Sequence, residues 1–589
     1  MKRNFLFMSV LASLFMAGCS QEEIAPDEKD VGNGKANTSY LTVNLMSSDA
    51  TGTRAASGYE DGDENENHVE QVRFYFFTAN GAIANVKLLN GSYVNFYDWS
   101  PEDGTQKDDK DDDDIESVLA AKIVISTKNG DKLPQRIAAV LNPPRDDTGE
   151  IMLGSASKSL ADLKKEVADY AATSFTAKGK FVMFNSVYGG DNKTEICAVP
   201  IESKHLQKES KEAEKNPVTI YVERSVAKVK VTLGNAVNSA ISDKLALIDK
   251  KGDPLKVGNE QVYLKLNGWN LTAETNEGRL VKAINPTAWS SNWWNGEGAF
   301  AHRSFWAINS KDARNGYDSY EAINTAIGTP LYTNENAADY DALSPIKRTK
   351  VILKGTLCKA DGTTPFTIVR HLGSHFADKW SENEDENLPE LKKSILSQLT
   401  TNGCSYYCET TTGSGESTVT ERNLIDAKDL QILIVDQTPS EPSSEDKKAR
   451  NCYVYAQLTD VAAQKPWYAS SDKNDTDRIT AETINGMLKN KDDNTGEYMI
   501  DRALVWKNGM TYYYYEIIHH GEGENATKGV VRNHIYDTKV TKIAGLGTPV
   551  YDPDQVIYPE KPDPNDHFIA AEINILSWRI VSNEYVLEW

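Results

Sequence analysis

The chain has 589 residues, enough for roughly two to four domains, with 86 acidic against 64 basic residues and a net charge of −22. That balance opposes binding to nucleic acid or to an anionic membrane surface, and no nucleic-acid partner is expected. Beyond Cys19 the cysteines are Cys197, Cys358, Cys404, Cys408 and Cys452, too scattered and odd in number for a disulfide-stapled scaffold.

Lys2 and Arg3 open the chain, Phe5 to Phe15 is mostly apolar, and Met16, Ala17 and Gly18 precede Cys19. About a dozen apolar residues behind a basic start read as a secretory signal, too short to span a bilayer as a permanent helix. Small residues at Ala17 and Gly18 let a peptidase reach the backbone, and Cys19 supplies a thiol for diacylglyceryl transfer. The pattern is similar to a bacterial lipoprotein signal; the alternative is an ordinary signal with an incidental cysteine. Ser20 to Glu23 reads as a polar tether. The chain is therefore expected to be exported, and no later segment is apolar enough to span a membrane.

The next element is a strand. In "SYLTVNLM" (39–46) Leu41, Val43 and Leu45 alternate with Thr42 and Asn44, the period of two of a half-buried strand. A small, polar stretch follows, "SSDATGTRAASGYEDGDEN", in which Arg54 precedes Ala55 and is the only arginine between Cys19 and Arg73. Strand-like runs then recur at 70–81, 121–127, 136–142, 180–186, 218–233, 261–271, 348–357, 429–435, 451–458, 510–518, 535–543 and 570–581. Many short strands with turn residues between them predict a mainly β protein of antiparallel β-sandwiches. Helical spacing is confined to 157–172 and 388–399, which read as insertions beside sheets.

A boundary is expected near the charged stretch 211–218. This gives an N-terminal domain of residues 55–215 and a C-terminal domain of 216–589, large enough to carry insertions. Tryptophans cluster in 287–309, either as an exposed platform for sugar or a partner, or as a loop folded onto its own aromatics. The acidic run Asp108 to Asp114 reads as a solvated loop, because the glycine and glutamate positions of an EF-hand are missing. Cys404 and Cys408 either close a local bridge or stay free, and they lack the second pair of a zinc ribbon.

Catalytic constellations are absent from the pattern. His371 and His375 stand four apart, but Leu372 occupies the place where a zinc protease needs glutamate. "TTGSGEST" lacks the spacing of a nucleophile elbow, and nothing matches a Walker A loop or a dinucleotide fingerprint. No enzymatic activity, metal or cofactor is expected.

The last sixty or so residues, 530–589, carry Val531-Arg532-Asn533-His534-x-Tyr536, Gly545-x-Gly547-x-Pro549, a proline-spaced linker and Leu576-Ser577-Trp578-Arg579 in that order. This stretch resembles the end of the Mfa-type major fimbrial subunits of Porphyromonas and gut Bacteroidales, the type V pilins. The lipoprotein signal, Arg54 and "VERSVAKVKV" (222–231) extend the resemblance to the start and centre; residues 270–510 are placed only loosely by it.

The resemblance implies two transthyretin-like β-sandwich domains and a lipoprotein precursor that reaches the outer membrane. It further implies an arginine-specific or trypsin-like protease that cuts after Arg54, and release of a subunit that polymerises by strand exchange. Loss of residues 20–54 would remove the strand carrying Leu41, Val43 and Leu45 and leave an apolar groove with unpaired backbone groups. A donor is available at the C-terminus, where Tyr585, Leu587 and Trp589 alternate with Val586 and Glu588. Burying four such side chains is worth about 6–12 kcal/mol before ordering costs. The expected partners are identical subunits in a head-to-tail filament, fimbrial anchor and tip subunits, and host or bacterial surface ligands. Three alternatives stay open: a tip subunit, an anchor subunit, and a surface glycan-binding lipoprotein that keeps its lipid on Cys19.

Overall fold

Alternating runs become strands throughout this computed structural model, and the fold is mainly β as expected. The structure describes residues 37–48, 62–88, 90–101, 106–108, 115–127, 131–189, 194–234, 244–249, 251–287, 304–310, 319–339, 343, 347–383, 387–412, 419–434, 453–474, 476, 478–489, 500–520, 527–554, 557, 568–576 and 582–583. The strands needed below are β1 (Asn37–Ser48), β2 (Val72–Phe77), β3 (Ile115–Thr127), β4 (Arg136–Leu141), β5 (Met183–Asn185), β6 (Val218–Arg224) and β7 (Val226–Leu233). After them come β8 (Tyr263–Thr272), β9 (Leu331–Asn334), β10 (Lys350–Cys358), β11 (Met510–Glu516), β12 (Ile535–Ala544), β13 (Phe568–Leu576) and β14 (Ser582–Asn583).

The first sheet runs β3-β1-β6-β5-β4-β2 through its middle. Val86, on a short strand beyond β3, shares a buried cluster with Phe74 and Phe76 of β2 at the other side, and the N–H of Ala84 donates to the carbonyl of Phe76. The sheet therefore curls round one core. All six residues of β2 are buried, which accounts for its nearly unbroken apolar sequence.

The run 218–233, expected as one strand, is two. Pairing passes from the first sheet to the second at Ser225, whose N–H leaves the ladder to donate to the carbonyl of Val182. β6 lies against β5 and β1, whereas β7 lies against β9 and β12. The second sheet has the order β9-β7-β12-β13-β14, and a third has β8-β10-β11 at its centre. Val229, Val231, Tyr536 and Val540 from the second meet Leu264, Trp269, Leu353, Tyr513 and Tyr515 from the third in one buried cluster. Among the described strands pairing is mostly antiparallel; the parallel ladders are β1 with β6 and β7 with β12.

Between β10 and β11 the chain builds a further unit. Ile368–His371, Ser374–Ala377, Leu430–Ile434, Tyr453–Leu458 and Ala503–Trp506 form one sheet, and Tyr407–Thr412, Val419–Leu424, Trp467–Tyr468 and Arg478–Ile479 another. Helices Pro389–Thr401 and Ala481–Lys489 join them around a separate core that includes Leu391, Ile395, Trp467, Ile484 and Leu488. The first of these helices matches the expectation for 388–399. Proline stands at its start, and the Asp378 carboxylate accepts from the N–H of Leu391 (2.9 Å) and Glu390 (3.3 Å).

The helix expected over 157–172 is confined to Leu160–Leu163. Its continuation is diverted into strand pairing: Val167 and Ala168 lie opposite Arg279 and Gly278, and the N–H of Leu280 donates to the carbonyl of Glu166. Tertiary pairing, with Leu163 and Tyr170 buried, overrides local helical spacing here.

Candidate functional site

β1 occupies an interior position. It pairs antiparallel with β3 (Leu41 opposite Ile123, Val43 opposite Ala121, Leu45 opposite Leu119) and parallel with β6 (Val43 opposite Val218, Leu45 opposite Ile220). The alternation read from the sequence has a physical object: Leu41 and Val43 are 1% and 0% exposed and pack in the core with Ile123, Ile125, Val218, Ile220 and Val222.

Among the described residues β1 is thus the only partner of β6 on one side, and it lies between β6 and β3. Taking it out would leave two facing rows of unpaired N–H and C=O groups about 10 Å apart, two interstrand spacings. Below them would lie an apolar floor lined by Leu119, Ala121, Ile123, Val218 and Ile220.

Cys19, Arg54 and Ala55 lie outside the described residues, as do Tyr585, Val586, Leu587 and Trp589. The approach to the terminal segment is described: β14 pairs with β13 (Ser582 opposite Asn574, Asn583 opposite Ile573), at the end of the second sheet's strand order. Groove and tail approach therefore belong to different sheets, the first and the second.

Where the two sheets meet, charge is buried. Glu66 is fully buried, and its carboxylate lies 2.6 Å from Lys228 of β7 and accepts from the Tyr332 hydroxyl of β9 at 2.5 Å. Burial works to raise its pKa, but the charges of Arg224 and Lys228 outweigh that and hold it below the ordinary value. Burial, with the charge of Glu66 and the hydrogen bond to it added, raises that of the Tyr332 hydroxyl. Lys282 and Glu223, each 1% exposed, pair at 2.9 Å, and Lys282 also donates to the Ser304 carbonyl.

The motif Val531 to Tyr536 belongs to this junction. Arg532 and Glu335 pair at 2.7 Å with no exposure, and Arg532 also donates to the carbonyls of Leu280 and Arg279. Asn533 takes a left-handed backbone (φ 57°), and its side-chain oxygen accepts from the N–H of Arg224. The Tyr536 hydroxyl accepts from the N–H of Val531 and bonds Nδ1 of His519, while the His534 ring stands 4.8 Å from that of His519. In Gly545-x-Gly547-x-Pro549 both glycines have positive φ (79° and 72°), and a Cβ on Gly547 would stand 2.3 Å from Oγ1 of Thr511.

Sequence reading did not single out Glu66, Arg224, Lys228, Tyr332 or Glu335 as site residues. Glu66 had a local signal: Asp63-x-x-Glu66 is a capping-box spacing, and both of its reciprocal bonds form. Arg224 and Lys228 stand with Glu223 and Lys230 in a stretch rich in valine, which marks buried charge only once a partner is known. The other groups weighed in the sequence have structural places. His371 and His375 lie on the two strands of a tight hairpin, opposite Ser374 and Arg370 respectively; His371 Nδ1 bonds the Ser394 hydroxyl (2.7 Å) and Nε2 the Asp501 carbonyl (3.2 Å). Cys404 and Cys408 are free thiols. Trp306, from the tryptophan cluster, is fully buried, its indole N–H donating to the Ala338 carbonyl.

Residues 505–584 match the family model described as major fimbrial subunit protein type IV, fimbrillin, C-terminal. The terminal motifs read from the sequence lie within this matched stretch, and the resemblance they carry is borne out there. Among solved structures it is similar to a provisionally assigned cell adhesion protein of Parabacteroides distasonis, at 10% identity and TM-score 0.32, over 91% of this chain and 96% of that one. It is also similar to a fimbrial assembly protein of the same organism, at 11% identity and TM-score 0.25, over 67% and 98% of the two chains. A third is the tip fimbrial protein Mfa3 of Porphyromonas gingivalis with C-terminal truncation, at 13% identity and TM-score 0.25, over 66% and 100%. No curated protein matches the sequence.

Proposed function

We propose that the chain is a stalk subunit of a cell-surface fimbria that supports adhesion and biofilm formation. It is exported as a lipoprotein precursor acylated on Cys19, cut after Arg54 by an arginine-specific or trypsin-like protease, and polymerised by donor-strand exchange. The observation that carries this reading is the interior place of β1 between β3 and β6, with Leu41 and Val43 in the core. A strand that precedes the arginine loop and yet completes the middle of a sheet leaves behind a site shaped for another strand. The terminal segment Tyr585 to Trp589 of the next subunit is the proposed occupant, with Tyr585, Leu587 and Trp589 alternating as Leu41, Val43 and Leu45 do. The acceptor groove lies in the first sheet and β14, which precedes the donor in the chain, in the second, so the contact would be heterologous and propagate as a filament.

The separate core of the unit between β10 and β11 supports a second reading, a tip subunit whose added unit meets the ligand. The glycan-binding alternative has less support, because Trp306 is buried. The test is the mass of the N-terminal peptide of subunits taken from surface filaments. A start at Ala55 is expected; a start at acylated Cys19 overturns the stalk reading and leaves a tethered protein.

A further inference from the structure

β1 ends at Ser48, and the described chain resumes at Gly62, immediately before the short helix α1 (Glu64–Asn67). The Asp63 carboxylate accepts from the N–H of Asn65 and Glu66, and the Glu66 carboxylate accepts from the N–H of Asp63. From this turn Glu66 reaches Lys228 of β7 and Tyr332 of β9, while Arg224, the last residue of β6, donates to the Glu66 carbonyl (3.3 Å) and to the Asn67 side chain. The side chain of Asn142 extends the attachment, donating to the His68 carbonyl and accepting from the N–H of Glu70.

None of these partners belongs to β1, so the bonds do not depend on its presence. β6 is the wall of the groove that loses its neighbour when β1 leaves, and its C-terminal end is the point that the Glu66 turn holds. We propose that Glu66 is a positioning residue for strand exchange: its carboxylate ties the chain that follows Arg54 to β7 and β9 and so keeps its turn in place against Arg224 at the end of β6, and the groove wall holds its position while the groove is empty. The idea rests on the strand-exchange reading above.

The full chain, wild type and Glu66→Gln, is cut with limiting trypsin, and backbone hydrogen exchange over Val218–Arg224 is followed together with capture of a labelled peptide of residues 577–589. Before the cut the two chains are expected to exchange alike, because β1 holds the wall. After it, Glu66→Gln is expected to exchange about tenfold faster than wild type and to capture the peptide about tenfold more slowly, the scale of a lost charged hydrogen bond. A cut Glu66→Gln that matches wild type overturns the proposal. So does one whose uncut form already exchanges faster by the same factor, since Glu66 would then serve the fold generally. Should Glu66→Gln fail to fold, Tyr332→Phe removes a single bond to the same carboxylate, and the same comparison decides. Wild-type chain that keeps β1 or refuses the peptide defeats strand exchange itself, and the proposal with it; that failure is read on the wild type alone.

Discussion

Arg532 and Glu335 form an ion pair of 2.7 Å with neither side chain exposed, at the place where the recognised terminal motif meets the junction of the sheets. Burial works to lower the Arg532 pKa, and the Glu335 charge outweighs it, so the guanidinium stays charged. Removing one partner strands the other. Glu335→Leu is expected to cost about 3–5 kcal/mol in urea unfolding, whereas Glu335→Leu with Arg532→Met should recover much of that loss, because an apolar pair leaves no unmatched charge. A double variant as unstable as the single one would show that the backbone carbonyls of Leu280 and Arg279, not Glu335, are the decisive partners of Arg532.

Val43 is fully buried in β1, opposite both Ala121 and Val218. Val43→Asp is expected to lose the roughly 1.5–3 kcal/mol of its burial and to add the cost of a buried charge. Proteolysis of uncut chain is the measurement: β1 should become accessible in the variant while the unit between β10 and β11 stays resistant. Equal resistance of β1 in both chains would mean that β1 is not held through this core contact.

Gly509 lies in the turn that returns the chain to β11, with φ +71°, and an added Cβ would stand 2.0 Å from the Leu357 carbonyl oxygen. Gly509→Ala is therefore expected to lower the thermal midpoint by several degrees, on the order of 1–3 kcal/mol for strained backbone. The Gly252→Ala variant, at φ +89° with nothing within reach of its Cβ, isolates the conformational part of that effect.

His371 is buried, and burial lowers its pKa against the opposing effect of the Asp501 carbonyl. Above the ordinary histidine value of about 6.5 the ring is neutral folded or unfolded; below it the unfolded chain takes up a proton that the folded chain resists. Stability from this residue is therefore full above that pH and falls as the medium is acidified. His371→Gln should flatten the pH dependence of urea unfolding below pH 6.5 relative to wild type; an unchanged slope would assign it to the other histidines.

Arg54→Ala should leave exported chains that begin at Cys19, with surface filaments lost and the precursor retained in the membrane fraction. Filaments built of uncut chains would separate assembly from cleavage.

The two β-rich ends of this molecule were legible before any coordinates, because a half-buried strand writes itself as alternation. Leu41 and Val43 could be assigned to a core face from residue type and spacing alone, whereas the positive φ of Gly545 and Gly547 came only with the structure. The helix over 157–172 misled for the converse reason: helical spacing is a local signal, and the partner that diverted Val167 and Ala168 into a strand lies more than a hundred residues away, at Gly278 and Arg279.

From the sequence alone came the expectation of a signal with its cysteine, the isolated Arg54, the strand period and the resemblance carried by the C-terminal region, all properties of neighbouring residues or of an ordered motif. Only the tertiary structure decided that β1 lies between β3 and β6, that pairing changes sheets at Ser225, and that Glu66 and Glu335 are buried against Lys228 and Arg532. The physical reason is shared. Strand neighbours and charge partners separated by hundreds of residues are chosen by the packing of whole sheets, and a buried carboxylate looks like a surface one until its cation is brought to it.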